Sequence, residues 1–303
     1  MDRLSYLPTV LALFLGTTSP AFSQGDLTPP GAPAPTMKTL DQVEPRTPLV
    51  DSSANVSVSA TTGAITISAS GSYYLTEDRS SSGAGIIITA SNVTVDLNGF
   101  TLTGTTSFSP AKGIDAVGTA TDILSGINVK NGHLDGFQSS INLTFVSNSS
   151  FHRLRCSNSI AAAILVNNSN GVTVADCIVS NAGHLGSAFA GIYLIRSSDS
   201  AVLRNLVTGV TGSAGGIGIA LQDSDSNHIV ENQINRLDSS TPGSGTIGIR
   251  VSGRHNLIVK NFASGAVDNY SIVFTNTYGP EVSTTGELSN TNPWANFSLN
   301  ENP

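Results

Sequence analysis

The 303 residues carry 14 basic and 21 acidic side chains, which gives a net charge of −7. An acidic chain is a poor electrostatic match for nucleic acid or for an anionic membrane surface, and for polyanionic sugars unless a cation bridges the two. Charged residues make up only 12% of the chain, whereas surface helices need a charged outer face. The composition therefore argues against amphipathic helices and favours stacked strands joined by short polar turns.

The chain begins with a candidate secretory signal, residues 1–23. Leu4 to Gly16 is mostly apolar, and Ala21 and Ser23 are small residues at the positions that a signal peptidase recognises. The apolar run is too short to span a membrane, and no later segment is apolar enough. We therefore expect an exported protein, secreted or at the cell surface, with the periplasm as a further location. The alternative is a membrane-anchored N-terminus.

Residues 24–50 are rich in proline, which lacks the backbone N–H that helices and sheets use. We interpret this stretch as an extended arm, which either packs on the rest of the protein or on a neighbouring subunit, or is a flexible tether. From Asn55 onward Val and Ile alternate with Ser and Thr, which is the pattern of a strand. Residues 51–84 are predicted to form capping strands, because an open first coil would expose apolar interior and unpaired backbone.

Residues 85–275 repeat a short unit whose clearest copies open with Gly-Ile and continue as a strand. The successive openings begin at Gly85, Gly113, Ile141, Ile164, Gly191, Gly218, Gly248 and Ser271. The mean interval is about 27 residues, and a second strand follows each opening after a turn rich in Ser, Asp and Asn. Leucine-rich repeats share this period, but their leucine spacing is absent. The pattern predicts an all-β fold, a right-handed parallel β-helix of about eight rungs, with an N-terminal cap and a C-terminal strap.

One position two residues beyond the second strand is repeatedly asparagine. Counted in this way, it holds Leu97, Asn131, Cys156, Asp176, Asn205, Asn232 and Asn261. Stacked Asn side chains can bridge neighbouring rungs through their amides, and Asn tolerates a left-handed backbone. We therefore predict an asparagine ladder along this corner.

The repeats from Gly191 to Asn261 resemble those of secreted right-handed parallel β-helix proteins of the pectin-lyase-like superfamily. Residues 33–48, 71–75 (GSYYL) and 93–100 (VTVDLNGF) are similar to a bacterial subgroup of these proteins without assigned activity. The resemblance covers about residues 36–274 and implies the fold. It implies no single activity, because the superfamily includes polysaccharide lyases, hydrolases, epimerases, adhesins and phage spikes.

In enzymes that the chain resembles, the binding groove usually follows the outward face of the first sheet. Here that column is predicted to hold Ile87, Asp115, Asn142, Leu165, Tyr193, Ala220, Arg250 and Val273. The parallel column is predicted to hold Thr89, Val117, Thr144, Asn167, Ile195, Gln222, Ser252 and Thr275. Asp115 and Arg250 are five rungs apart, roughly 24 Å, which is too far for both to act on one bond. A lyase-type Ca²⁺ site needs several carboxylates, and these columns hold one, so we expect no metal and no cofactor.

Three outward side chains are the candidate substrate-binding residues: Tyr193, Gln222 and Arg250. An aromatic platform flanked by hydrogen-bond donors suits a pyranose ring. The charged residues of the nearby turns have two interpretations. They form either a Ca²⁺ or sugar site, or ordinary cross-strand pairs in which Arg196 stacks on Asp223 and Asp225 on Arg254.

Cys156 and Cys177 are the only cysteines, and export invites a disulfide between them. Their positions in the repeat differ by one residue, which directs them to different faces. Free thiols are therefore the prediction and a bridge is the alternative. Residues 276–303 are interpreted as the strap, with Trp294 and Phe297 filling the open end of the last coil. The alternative for this segment is a disordered tail.

Two classes of function fit these observations. The missing catalytic cluster favours an exported scaffold that is non-catalytic or binds glycans at a surface. The alternative is a polysaccharide lyase or epimerase that acts on uronic-acid polymers with an atypical site on the first sheet. The sequence leaves open whether the protein is an enzyme. The expected partner is a polysaccharide, and we expect neither binding to nucleic acid nor a membrane span. A homotrimer is a further arrangement, on which the sequence is silent.

Overall fold

The computed structural model describes residues 46–50, 52–53, 55–105, 111–183, 190–212, 215–238, 245–283 and 290–299. The predicted signal peptide and the first part of the proline-rich arm lie outside these residues. The regular secondary structure of the described residues consists of strands alone. In chain order the strands are β1 (Thr47–Pro48), β2 (Val56–Val58), β3 (Ile65–Ile67), β4 (Gly71–Tyr74), β5 (Arg79–Ser81), β6 (Ile86–Ile88), β7 (Val93–Asp96), β8 (Thr101–Gly104), β9 (Lys112–Val117), β10 (Leu124–Ser125), β11 (Asn128–Asp135), β12 (Ser139–Thr144), β13 (Val146–Ser159), β14 (Ile164–Asn167), β15 (Asn170–Ala175), β16 (Ile178–Ala182), β17 (Ala190–Ile195), β18 (Ala201–Leu203), β19 (Leu206–Thr208), β20 (Ile217–Gln222), β21 (His228–Val230), β22 (Gln233–Asn235), β23 (Ile247–Val251), β24 (Leu257–Val259), β25 (Phe262–Ser264), β26 (Asp268–Ile272), β27 (Thr277–Tyr278), β28 (Glu281–Ser283) and β29 (Asn296–Leu299).

The strands coil into two sheets that run along one axis. The first sheet contains β2, β3, β6, β9, β12, β14, β17, β20, β23 and β26, and the remaining strands belong to the second sheet. A typical coil gives one strand to the first sheet and two to the second, as β17, β18 and β19 do. Their partners in the next coil are β20, β21 and β22, and all three pairings are parallel. At the N-terminal end β2 pairs with β3 in the antiparallel direction. The predicted fold, a right-handed parallel β-helix, is confirmed.

The Gly-Ile openings have a steric explanation. Ile192, Ile219 and Ile249 stack in register on the inside of the first sheet, and all three are fully buried. A Cβ atom on Gly191 would lie 2.5 Å from Cγ1 of Val207, and one on Gly218 would lie 2.4 Å from a methyl carbon of Ile234. Glycine is therefore required where the first sheet approaches the opposite wall of the coil.

Asparagine side chains connect one rung to the next at a corner of the coil. Asn205 Nδ2 donates to Asn232 Oδ1 (3.0 Å), Asn232 Nδ2 to Asn261 Oδ1 (3.0 Å), and Asn261 Nδ2 to Asn296 Oδ1 (3.2 Å). Each acceptor oxygen also receives the backbone N–H of the preceding Asn. All four side chains are buried, so these bonds satisfy polar groups that water does not reach.

The register differs from the sequence prediction in the earlier coils. Val174 pairs with Val202 rather than with Leu203, so Cys177, and not Asp176, occupies the position of Asn205 in the preceding coil. Accordingly the backbone N–H of Cys177 donates to Asn205 Oδ1 (2.9 Å). A second stack, which was not predicted from the sequence, joins Asn227, Asn256 and Asn276 at another corner. Their side-chain amides are connected by hydrogen bonds of 3.0 and 2.9 Å.

The C-terminal end of the coil is closed by a residue that differs from the prediction. Trp294 does not fill the interior, because 55% of its surface is exposed. Tyr270 takes the inward position that Ile249 has in the previous coil. Its hydroxyl lies 2.8 Å from the carbonyl oxygen of Asn261 and 2.9 Å from that of Phe297. Burial raises the pKa of Tyr270, so the phenol stays protonated and able to donate.

Replacing Asn232 with Ala is expected to destabilise the protein by about 3 kcal/mol, because several buried polar groups would lose their partner. Urea unfolding followed by circular dichroism measures the change. The matched control is Asn235→Ala on the half-exposed outer face of β22, which should shift the transition little. Equal shifts for the two variants would contradict a stabilising role for the buried amides.

Cys156 and Cys177 are both buried and unbridged. A thiol reagent such as Ellman's reagent is therefore expected to react with almost no cysteine in the native protein and with both cysteines after unfolding in denaturant. Unfolded protein that shows no reactive thiol without reductant would indicate a disulfide instead.

Candidate functional site

The outer face of the first sheet carries the predicted substrate-binding residues in two columns. The observed register places Asp115, Asn142, Leu165, Tyr193, Ala220 and Arg250 in one column. The next column contains Val117, Thr144, Asn167, Ile195 and Gln222. The sequence prediction differs at the C-terminal end, where Arg250 pairs with Ser271 rather than lying in line with Val273. The difference is two residues, because Tyr270 and not Ile272 takes the position of Ile249 in this coil.

Tyr193 forms an ordered platform on this face. Tyr193 packs against a small outer cluster of Ala190, Ile217 and Ala220, as Ile247 does. Ala220 faces outward and yet is fully buried, because larger neighbours cover its methyl group. The Tyr193 hydroxyl donates a hydrogen bond to Gln222 Oε1 on the adjacent rung, which fixes the amide and leaves its NH₂ group as a donor. Tyr193 and Gln222 are therefore partners of each other, and the phenol ring remains half exposed.

Arg250 lies one rung beyond Ala220 and is half buried. Within the described part of the chain no carboxylate forms an ion pair with its guanidinium. Arg250, whose guanidinium carries five N–H groups, thus lies in the same outward column as Tyr193, two rungs away. Together the three residues form an aromatic surface flanked by an amide donor and a cation, over three consecutive rungs.

A second polar cluster on the same face includes two residues that the sequence analysis missed, Lys112 and Gln138. Asn142 Nδ2 donates to Asp115 Oδ1 (2.7 Å), and Lys112 Nζ donates to Gln138 Oε1. Burial lowers the pKa of Lys112, and the negative charge of Asp115 partly opposes this effect. The sequence did contain a pattern that could have identified Lys112. The residue directly before a Gly-Ile opening also faces outward, and Lys112 holds this position as Ala190 does before Gly191 in a later coil.

The charged turns pair differently from the prediction. Among the described residues no ion pair joins Arg196 to Asp223, and Asp225 Oδ1 accepts the backbone N–H of Arg254 (2.7 Å) rather than its guanidinium. Ion pairs form instead at another corner. Arg204 binds Asp176 through two bonds of 2.7 and 2.9 Å, and Lys260 lies 3.5 Å from Glu231. These pairs are exposed, so each adds little to stability.

Serine, histidine and aspartate side chains also meet on the second sheet, which the sequence analysis did not predict. His133 Nε2 lies 2.7 Å from Ser157 Oγ, and Ser157 Oγ donates to Asp135 Oδ1. In a hydrolytic triad the histidine lies between the serine and the acid, so that it can accept the serine proton. Here the serine lies between the other two residues, and its hydroxyl donates a hydrogen bond to the acid. This order does not activate a nucleophile.

The coiled parallel strands and the polar outward columns define the class of the protein, a right-handed parallel β-helix of the pectin-lyase-like superfamily. The family described as periplasmic copper-binding protein (NosD) matches residues 92–294. The chain belongs to this family. None of the curated proteins matches the chain.

Solved structures with similar folds are distant in sequence. The catalytic domain of Agl-KA is 11% identical, with a TM-score of 0.46 over 79% of this chain and 47% of that one. The ORF18 protein of Geobacillus virus E2 is 9% identical, with a TM-score of 0.48 over 82% and 53%. The A-module of a mannuronan epimerase from Azotobacter vinelandii is 12% identical, with a TM-score of 0.26 over 76% and 86%. This chain thus spans about half the length of the first two structures, and none of the three likenesses bears on its activity.

The family description raises the question of copper, and the described residues do not fit it. They contain no group of three or more His, Cys, Asp or Glu side chains that could hold a metal ion. Copper favours thiolate and imidazole ligands. Burial raises the pKa of the Cys177 thiol to about 11 and that of Cys156 well above its usual value, which disfavours both thiolates. His184 and both methionines lie outside the described residues. Within those residues there is also no helix with the length and hydrophobicity to cross a bilayer.

The Lys112 amine is expected to titrate below its usual range, because its burial disfavours the ammonium form. Replacing Asp115 with Asn should lower this pKa further, since the carboxylate charge stabilises the ammonium. NMR titration of the lysine Nζ resonances measures both shifts. Asp122→Asn is the control and should leave the Lys112 resonance unchanged. An unchanged or raised pKa in Asp115→Asn would contradict the proximity of the two charges.

Proposed function

We propose that the protein is an exported β-helix scaffold that binds a polysaccharide along the outer face of its first sheet without cleaving it. The observation that carries the proposal is the arrangement of Tyr193, Gln222 and Arg250 on three neighbouring rungs. The Tyr193 side chain is held in place by its packing and by its hydrogen bond to Gln222. The site is therefore formed before a ligand arrives, and binding does not have to order it.

The chemistry of these groups suits a sugar chain. The apolar C–H face of a pyranose can stack on the phenol ring, while the Gln222 amide and the Arg250 guanidinium donate to hydroxyl or carboxylate oxygens. Neighbouring rungs are ~4.8 Å apart, so Tyr193 and Arg250 are separated by about 10 Å along the axis. A chain of sugars lying along the axis would meet both side chains, whereas a single ring would reach only one.

The spacing of the polar groups supports binding rather than cleavage. Asp115 lies three rungs from Tyr193 and five from Arg250, or roughly 14 and 24 Å, so these groups do not converge on one bond. The proposal requires no cofactor. The family description as periplasmic and the apolar N-terminal segment support export, and the periplasm or the cell surface is where the protein would meet a polysaccharide.

A specific observation supports a second candidate function, a lyase or epimerase that acts on uronic-acid polymers. A lysine whose pKa is lowered by burial, as for Lys112, holds more neutral amine at neutral pH, and a neutral amine can accept a proton. Lys112 would then remove the proton next to the sugar carboxylate, with Asp115 and Asn142 beside it. The candidate is weaker because Asp115, the other acid or base described in the cluster, already accepts a hydrogen bond from Asn142.

Calorimetry with uronic-acid and neutral polysaccharides, with and without Ca²⁺, tests the main proposal. Tyr193→Ala and Arg250→Ala should each weaken binding by about tenfold or more, which corresponds to roughly 1.4 kcal/mol. The matched controls are Arg155→Ala, on the exposed outer face of β13, and Phe274→Ala, which is 92% exposed. Neither control should change the affinity.

Analysis of the incubated polymers separates the two candidate functions. Unchanged polymer length and stereochemistry agree with a scaffold. New unsaturated ends or epimerised residues that disappear in Lys112→Met would favour the enzyme and overturn the non-catalytic proposal. Equal affinities for wild type, Tyr193→Ala and Arg250→Ala would remove the first sheet as the binding face.

A further inference from the structure

A cavity of about 370 Å³ lies on the second sheet at the C-terminal end of the coil. Its walls come from β24, from β27 and the residues that follow it, and from the segment before β29. The side chains that line it are mostly apolar: Leu257, Val259, Tyr278, Pro280 and Trp294. Among the described residues no charged side chain lines it, which sets it apart from the exposed ion pairs of the neighbouring corner.

The cavity exists because the coil ends there. Tyr278 pairs with the fully buried Ile258 of the previous coil. It is nevertheless 52% exposed, because among the described strands β27 is paired on one edge only, with β24. The segment that carries Trp294 then lies against Gly279, where a Cβ atom would be 1.7 Å from the Trp294 carbonyl oxygen. Glycine at position 279 thus allows the two aromatic walls to approach each other.

Hydrogen bonds hold the wall formed by Trp294. The Asn292 side chain accepts the backbone N–H of Trp294 (2.9 Å), and Asn296 Nδ2 donates to the carbonyl oxygens of Ile258 (2.9 Å) and Gly279 (3.1 Å). The Lys260 ammonium lies 5.3 Å from the centre of the indole ring, a cation–π distance, and also contacts Glu231. Backbone hydrogen bonds and the Lys260 ammonium, which does not line the cavity, therefore hold the indole in place.

We propose that this cavity binds one sugar ring at the end of a glycan. Its volume lies within the range of small-molecule sites, about 300–1,000 Å³. Tyr278 and Trp294 are each about half exposed, and aromatic side chains of this kind offer an apolar face together with a polar tip. A pyranose has the matching surfaces, with apolar C–H faces and a rim of hydroxyls.

The polar groups at the edge of the cavity favour a sugar over an apolar side chain of a partner protein. Thr277 and Asn292 both line the cavity, and no described residue is a hydrogen-bond partner of the Thr277 hydroxyl or of Asn292 Nδ2. An apolar occupant would take these groups out of water without replacing their hydrogen bonds, which is unfavourable. Sugar hydroxyls would satisfy both. These residues belong to the second sheet and to the C-terminal segment, so this site is separate from Tyr193, Gln222 and Arg250.

The test uses the fluorescence of Trp294, which is the only tryptophan of the chain. The full-length protein is titrated with maltotetraose, cellotetraose, chitotetraose and an oligomannuronate, with excitation selective for indole. We expect a saturable change in emission with at least one of these sugars. Tyr278→Ala should weaken that binding by tenfold or more, and Phe274→Ala, an exposed aromatic outside the cavity, should leave it unchanged.

Three results would overturn the proposal. The first is no saturable change with any of the four sugars. The second is a sugar affinity, measured by calorimetry, that is the same in wild type, Tyr278→Ala and Trp294→Ala. The third is saturable binding of the apolar fluorophore anilinonaphthalene sulfonate that no sugar displaces, which would indicate a site for an apolar side chain.

Two further variants keep the test independent of folding and of the first-sheet proposal. Thr277→Val removes the hydroxyl and retains the shape of the side chain. It should therefore weaken sugar binding and leave any binding of the apolar fluorophore unchanged. Tyr193→Ala should leave the indole response intact. The opposite result would be a Tyr193→Ala variant that loses the indole response while its thermal unfolding midpoint is unchanged. The tryptophan would then report on binding at the first sheet, and the proposal of a separate site would be overturned.

Discussion

The structure depends on hydrogen bonding between each coil and the coils on either side. Because the strands pair in parallel from coil to coil, the corners are where backbone N–H groups would otherwise lack partners. Buried side chains provide these partners. Asn205, Asn232, Asn261 and Asn296 bridge the coils at one corner, and serine hydroxyls do the same at another, where the Ser169 N–H meets Ser197 Oγ. These bonds at the corners fix the register between neighbouring coils, and the register in turn determines which residues face outward.

The fixed register sets different constraints on the inward, corner and outward positions of the coil. Inward positions must be apolar, as Ile192 and Ile219 are, and corner positions must satisfy the backbone. Outward positions carry neither constraint, so a polar or aromatic side chain there needs little accommodation by the fold. Tyr193 and Arg250 occupy such positions. The cavity beside Trp294 has a different origin, because it arises only where the stack of coils stops.

Much of the fold could be read from the sequence, because the repeat itself encodes the stacking. The first-sheet columns from Asp115 to Arg250 were predicted correctly, since the Gly-Ile openings set their register. The second sheet was less legible. Its corners vary in length in the earlier coils, so a one-residue error placed Asp176 where Cys177 lies. The Tyr193–Gln222 hydrogen bond and the pairing of Lys112 with Gln138 depend on side-chain direction, which spacing along the chain does not specify.

The buried asparagine amides all point the same way. In both stacks the amide oxygen accepts from the Asn of the preceding coil, while the NH₂ group donates one hydrogen to the Asn oxygen of the next coil and the other to a backbone carbonyl of the preceding coil. Their side-chain dipoles therefore share one direction along the axis, and neighbouring hydrogen bonds in such a chain polarise and strengthen one another by roughly 10–30%. The coil thus has an electrical direction as well as a geometric one. A coil stacked in reverse would bring oxygen against oxygen at the N-terminal end of a stack, or NH₂ against NH₂ at its C-terminal end, so added repeats would need the same polarity.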